Sequence, residues 1–208
     1  MYAIIKDGSI SKYVNHPKPL VIGDVQYPAR IFSAWTASEL AAIGIIAVTF
    51  DDSNKKDEKW YINTNQTYTY DASAGTVTAA YGTATAKAHA DSLYTNQDKT
   101  DGLIPEGKDV GDVAVEGLKT ILIRTIKQQA AGILQDTDWY IVRKADAGTA
   151  VPSSITNHRA AVRTKAAEME TAITNASDTP ALETLYTYTK QEDGSVTRPL
   201  GELPTLES

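Results

Sequence analysis

The sequence predicts an α+β protein: a small β-rich N-terminal unit with one short helix, a linker, and a C-terminal α-helical hairpin or small bundle. Three observations carry that reading. Short β-branched and aromatic runs alternate around Asp-Gly and Gly-Asp pairs in the first part of the chain. Apolar residues recur at spacings of three and four in the second part, the period of a helix face. Between the two lies a small, polar stretch whose end is rich in glycine. The boundaries that follow are 1–82 for the β-rich unit, 83–112 for the linker, 113–187 for a helical partner-binding unit and 188–208 for a hairpin and tail.

In order along the chain, "YAIIKDGSISKYV" reads as two strands joined by Asp7-Gly8, because both turn residues tolerate positive φ. "VIGDVQYP" repeats the pattern with Gly23-Asp24. Thr36 and Glu39 form a capping box that starts a short helix, and Gly44 stands where a left-handed C-terminal cap is wanted. "IIAVTF" (45–50) is expected as a buried strand, "DDSNKKDEK" (51–59) as a solvated loop, and "QTYTYDASAGTVTAAY" (66–81) as a half-buried hairpin. A weak helix is expected within the linker around 84–95. Leu118, Leu122, Ile126, Ala130 and Ile133 form one helical stripe, and Ile155, His158, Val162, Ala166, Met169 and Ile173 form another. A third, short helix over 137–147 is expected to turn Trp139, Val142 and Ala145 inward, to be capped by Asp136 or Thr137, and to end at Gly148. Pro152 suits the first turn of the next helix, where its missing amide costs nothing. "TPALETLYT" reads as a last helix and "YTKQEDGSVTRP" as an Asp-Gly hairpin.

Composition narrows the function classes. The 208 residues are 42% hydrophobic and 22% charged, so a folded core is expected. A net charge of −6 and the absence of any basic run argue against nucleic acid or an anionic membrane as partner. The longest apolar stretch, 40–50, is far shorter than the roughly 20 residues of a membrane helix. The first residues lack the pattern of a secretory signal, and the chain has no cysteine for disulfide or thiolate chemistry.

Enzyme templates fail in turn. There is no phosphate-cradling glycine motif, no G-x-S-x-G elbow and no H-E-x-x-H, and His16, His89 and His158 lie in separate segments. "DDSNKKDE" places lysines where a calcium loop needs oxygen ligands. The expectation is a non-enzymatic protein without catalytic residues, cofactor or metal. What remains is the cluster of Trp139, Tyr140, Arg143, Arg159 and Arg163. Trp139 fits either a core anchor or a contact surface. For the other four the contact reading gains, since Tyr and Arg are enriched at interface hot spots. A helical half with Ala- and Thr-rich stripes also buries few large side chains, and small cores of this kind often finish against a partner.

"LQDTDWYIVRKADAGTAVPSSITNHRAAVRTKAAEM" (134–169) resembles the C-terminal segment of tail-fibre assembly proteins of tailed bacteriophages, with Thr137, Asp138, Trp139, Pro152, Arg159 and Arg163 as the matching residues. "YPARIFSAWTASELAAIGIIAV" (27–48) is similar to a small N-terminal unit of phage tail-associated proteins, and "NQTYTYDASAGTVTAAYGTATA" to the hairpin that follows it there. The resemblance implies a chaperone that binds a trimeric tail-fibre or receptor-binding protein in the host cytoplasm and assists its folding or trimerisation. Some such proteins remain on the mature particle. The alternative it implies is a permanent structural component of the tail, fibre or baseplate. The C-terminal "YTKQEDGSVTRPLGELPTLES" (188–208) runs past the end of the matching segment and is read as a docking tail for another virion component.

Overall fold

The structure, a computed structural model, describes residues 1–206. The α+β expectation holds, and the chain forms two compact units, 1–85 and 86 onward. The first contains strands β1 (Tyr2–Lys6), β2 (Ser9–Val14), β3 (Leu20–Ile22) and β4 (Val25–Tyr27), helices α1 (Ile31–Ala34) and α2 (Ala37–Ala42), then β5 (Ile45–Asp51), β6 (Tyr61–Ile62), β7 (Gln66–Asp71) and β8 (Thr76–Tyr81). Strand β9 (Thr85–Ala86) lies at the junction.

Five of these strands make one sheet in the order β2-β1-β5-β8-β7. All its pairs are antiparallel except β5–β8, which is reached by the long 52–75 connection that a parallel pair requires. The β1–β2 turn places Asp7 at φ 50° and Gly8 at φ 75°, the geometry its Asp-Gly pair anticipates. The sheet buries both faces. Ile4, Val14 and Ile45 pack with Leu20, Ile31 and Leu40 on one side, and Ala3, Val48, Val77 and Ala79 form the other cluster. The second cluster is made of small residues, which lets the sheet curl until its edge strands meet: the rings of Tyr13 on β2 and Tyr68 on β7 are 4.8 Å apart. Strand β5 is less buried than its sequence suggests. Ile45 and Val48 are interior, whereas Phe50, beyond the last core position, is 51% exposed.

Local signals in this unit hold closely. Thr36 and Glu39 make both bonds of the capping box, and the two bonds from Thr36 hold the Glu39 carboxyl below its ordinary pKa. Gly44 is required on two counts: its φ is +79°, and a Cβ there would stand 2.7 Å from the Ile5 carbonyl oxygen. The one-turn helix α1 was not anticipated; no side chain caps it, and Ile31 buried beneath it holds it in place. The loop after β5 is exposed as expected, but it ends in Trp60, which is 3% exposed.

The second unit contains β10 (Ser92–Leu93), α3 (Asn96–Thr100), β11 (Val113–Val115), α4 (Leu118–Gln135), α5 (Asp138–Ala147), α6 (Ser153–Asn175), α7 (Thr179–Tyr186), β12 (Thr189–Lys190) and β13 (Val196–Thr197). Helices α4 and α6 run antiparallel. Lys119 at the start of α4 bonds the Thr174 carbonyl at the end of α6, and Lys127 pairs with Glu170 between them. Both expected stripes face this seam. Leu122, Ile126 and Ala130 are buried on α4, and all six named positions of α6 are buried, His158 included. Among the described residues no helix is long and apolar enough to cross a membrane.

The linker reading of 83–112 needs correction. Residues 84–95 are not helical; the helix comes later, as α3, started by a second capping box between Thr95 and Asp98. Much of the stretch is also bonded into the second unit. The amides of Leu118 and Lys119 donate to the carbonyls of Ala88 and His89. The Asp91 carboxylate accepts the Gly117 amide at 2.7 Å and the Thr120 hydroxyl at 2.8 Å. A helix start leaves several amides without partners, and here a segment about one turn long satisfies three of them from upstream. Composition alone reads such a segment as loose, because its contribution is made by backbone carbonyls and one carboxylate.

Candidate functional site

The residues singled out in the sequence lie around the joint between α4 and α5. Helix α4 ends at Gln135, and the Leu134 carbonyl is one of its terminal acceptors. The Thr137 hydroxyl donates to that carbonyl at 2.9 Å. Arg159, reaching over from α6, donates to the same carbonyl at 2.6 Å and to the Thr137 hydroxyl oxygen at 2.7 Å, while its other Nη pairs with Asp138 at 2.8 Å. A guanidinium is well matched to this place. Its planar fork serves several acceptors at once, and its charge lies at the negative end of the α4 dipole and beside an acid in the first turn of α5. Arg159 is 7% exposed, so it belongs to the interior and not to a contact face. Thr137, at the N-cap position, caps no amide of α5 and is buried with Arg159.

Helix α5 itself was expected to turn Trp139, Val142 and Ala145 inward, and it does not. It buries no residue, and Trp139, Ile141 and Val142 are 51%, 43% and 65% exposed. The physical reason lies in the seam: α4 and α6 fill it with their own stripes, and Arg159 fixes α5 only through its first residue. On the surface of α5, the Trp139 and Tyr140 rings are 3.8 Å apart, and the Arg143 guanidinium lies 4.7 Å from the first centroid and 5.4 Å from the second. These separations of three and four residues are the ones that meet on a helix surface. Arg143 Nε is shielded from solvent by this stack and has no hydrogen-bond partner. Arg163 is exposed on α6, its Nη1 3.5 Å from the Arg159 carbonyl, and it does not join the stack. The five residues therefore divide into a surface stack of Trp139, Tyr140 and Arg143, an interior staple at Arg159 and a separate exposed Arg163.

A second aromatic-arginine cluster was missed. The Arg198 guanidinium lies 5.2 Å from both the Tyr186 and Tyr188 ring centroids, and it bonds the Gly201 carbonyl and the Glu202 carboxylate. The Tyr188 hydroxyl donates to Glu202 at 2.7 Å. Leu200 is buried, and its amide donates to the Leu185 carbonyl. The stretch after the last hairpin is thus bound to its own unit, not displayed as a free docking tail. Beside it lies a groove of about 480 Å³ lined by Gln129, Gly132, Ile133, Asp136, Met169, Arg198, Glu202 and Leu203. The Tyr-x-Tyr spacing was visible in sequence, but the arginine ten residues later was not a recognisable partner.

This clamp carries a pH dependence. The bond to Glu202 raises the pKa of Tyr188, and burial raises that of Tyr186. A phenol whose pKa is raised by folding stabilises the fold below the unfolded value of about 10, and that stability is lost as pH climbs through the folded value. Urea midpoints should fall as the pH rises above about 10, and Tyr188→Phe should make the fall shallower. An identical alkaline limb in the variant would remove Tyr188 from the account.

Among the described residues no group of three or more His, Asp or Glu side chains is placed to hold a metal ion. No protein-family model, curated protein or solved structure matches the chain.

Proposed function

We propose that the chain is a non-enzymatic assembly protein of a tailed bacteriophage, which binds a tail-fibre or receptor-binding protein and assists its folding or trimerisation. The observation that supports this reading is α5: a helix of 10 residues that buries nothing and exposes Trp139, Ile141 and Val142. Isolated helices of that length are marginal in water, and an exposed apolar face on one marks a surface that a partner covers. The stack of Trp139, Tyr140 and Arg143 supplies residue types that dominate interface energetics. Trimeric fibres present unpaired strand edges and apolar faces before their subunits interlock, and such surfaces aggregate unless covered. Helix α5 would be the covering element and Arg159 the staple that sets it.

Co-expression with the fibre protein tests the proposal. The fibre should be soluble and trimeric with this chain and aggregate without it. Trp139→Ala should abolish that effect while changing the melting free energy by less than about 1 kcal/mol, because the side chain is half exposed. Equal fibre solubility with and without the protein ends the chaperone reading. Several copies per purified particle would replace it with a permanent part of the tail, fibre or baseplate.

A further inference from the structure

The first unit holds a separate cleft built from the residue types that recognise polypeptide. Strand β4 ends at Tyr27, and Pro28 leads into α1. Successive turn bonds lock this stretch. Ile31 donates to the Pro28 carbonyl, Ser33 and Ala34 donate to that of Arg30, and Trp35 donates to that of Ile31, all at 3.0–3.2 Å. Ile31 is buried and Phe32 packs on Tyr2 with ring centroids 4.7 Å apart, so α1 is anchored through its middle. Arg30 and Trp35 flank it at the surface. The Trp35 ring meets the Tyr27 ring at 82° with centroids 5.8 Å apart, and the cleft beside them, about 320 Å³, is completed by Pro28, Ile31 and Ala34.

Two features of the cleft are not explained by folding. Trp35 remains 36% exposed, and Val25, two residues before Tyr27 on the same strand, is 52% exposed. Arg30 is exposed and, among the described residues, forms no ion pair, although the chain carries 26 acidic against 20 basic side chains. Its backbone carbonyl does the structural work, and its guanidinium is left over.

We propose that this cleft docks an acidic polypeptide segment of a partner, seating one apolar side chain such as proline, leucine or isoleucine against the paired Tyr27 and Trp35 rings and placing a neighbouring Asp or Glu on Arg30. Size and chemistry both select this occupant. The volume is at the small end for a binding pocket, so it admits one side chain and not a folded surface. Its lining offers the Arg30 guanidinium, the Tyr27 hydroxyl and the Trp35 indole N–H as polar side-chain groups, mostly donors and too few to satisfy a hydroxyl-rich sugar, whose unpaired groups would weaken binding. An apolar anchor carries no polar side-chain group into the cleft, and the carboxylate beside it gains the two-pronged arginine–carboxylate bond. This site lies in a different unit from α5, uses none of its residues, and does not depend on the assembly reading.

The test uses the full chain and an array of Gly-Ser host peptides. Each carries Pro, Leu, Ile or Phe at one to three positions from an Asp, and each has an Asn twin. Peptides with both anchor and Asp should bind, and their Asn twins should bind roughly tenfold more weakly. Arg30→Glu, which reverses the charge, and Ala34→Gln, which fills the cleft, should each abolish binding while leaving the melting curve unchanged. No binding by any peptide at about 1 mM, equal binding of Asp and Asn twins, or indifference to Arg30→Glu would overturn the proposal. So would retention of polygalacturonate in place of the peptides, which would assign the cleft to acidic sugars.

Discussion

Arg159→Ala is expected to destabilise the second unit by about 2–3 kcal/mol and to loosen α5. The residue is 7% exposed and joins three groups on the far side of a helix joint: the Leu134 carbonyl, the Thr137 hydroxyl and the Asp138 carboxylate. Truncation leaves a buried carbonyl and hydroxyl without their strongest donor and removes the packed stem of the side chain. The cost stops short of that for breaking a fully buried ion pair, because Asp138 keeps 54% of its side-chain surface in water and is not stranded. Arg159→Lys should recover little, since an ammonium lacks the fork whose two Nη atoms reach Leu134, Thr137 and Asp138 together. Arg163→Ala, on the exposed side of the same helix, should shift the urea midpoint hardly at all. Amide exchange in α5 should accelerate in Arg159→Ala alone. Equal stability of the Arg159 and Arg163 variants would show that the staple carries no free energy.

Gly117→Ala is expected to cost more, at or above the upper end of the roughly 1–3 kcal/mol typical of overpacking. A Cβ at this position would meet the Ala90 backbone at 2.3 Å and the His89 carbonyl at 2.8 Å, and backbone cannot step aside as a side chain can. The φ of Gly117 is an ordinary −81°, so the penalty is steric and not conformational. Displacing 88–91 would also remove the acceptors of the Leu118 and Lys119 amides and lift Asp91 from Gly117 and Thr120. Asp91→Ala, which removes only the carboxylate, should cost about 1 kcal/mol, as the loss of a helix cap does. Gly132 in the same helix supplies a control of opposite sign. Nothing lies within 4 Å of its virtual Cβ, so Gly132→Ala should stabilise by about 0.5–1 kcal/mol. Denaturant midpoints of the three variants decide the matter, and a Gly117→Ala protein as stable as the parent would mean that the 88–91 segment does not cap α4.

What could be read in the sequence was mostly local. The Asp7-Gly8 turn, the Thr36 capping box, the Gly44 cap and the two helical stripes each depend on residues within one or two turns of each other, and all appear as expected, save that Leu118 and Ile133 at the ends of the first stripe are half-buried. The candidate site was legible in part. Trp139, Tyr140 and Arg143 do come together, because separations of three and four suffice to place them on one helix surface. Arg159 was assigned to that surface because sequence gives its residue type and helix but not which acceptors stand opposite it. The Leu134 carbonyl is 25 residues away and carries no side-chain signature.

By itself the sequence determined the α+β class, the Asp-Gly turn, the capped start of α2 and which face of α4 and α6 is buried, because those are set by steric preferences and by periodicity along one chain. Only the tertiary structure decided that 88–91 caps α4, that Arg159 turns inward, that α5 is left bare and that Arg30 and Trp35 flank an open cleft. Each of those outcomes depends on a backbone group or a volume supplied from elsewhere in the chain. A carbonyl oxygen is the same in every residue, and a space already filled by other side chains leaves no mark on the segment it excludes.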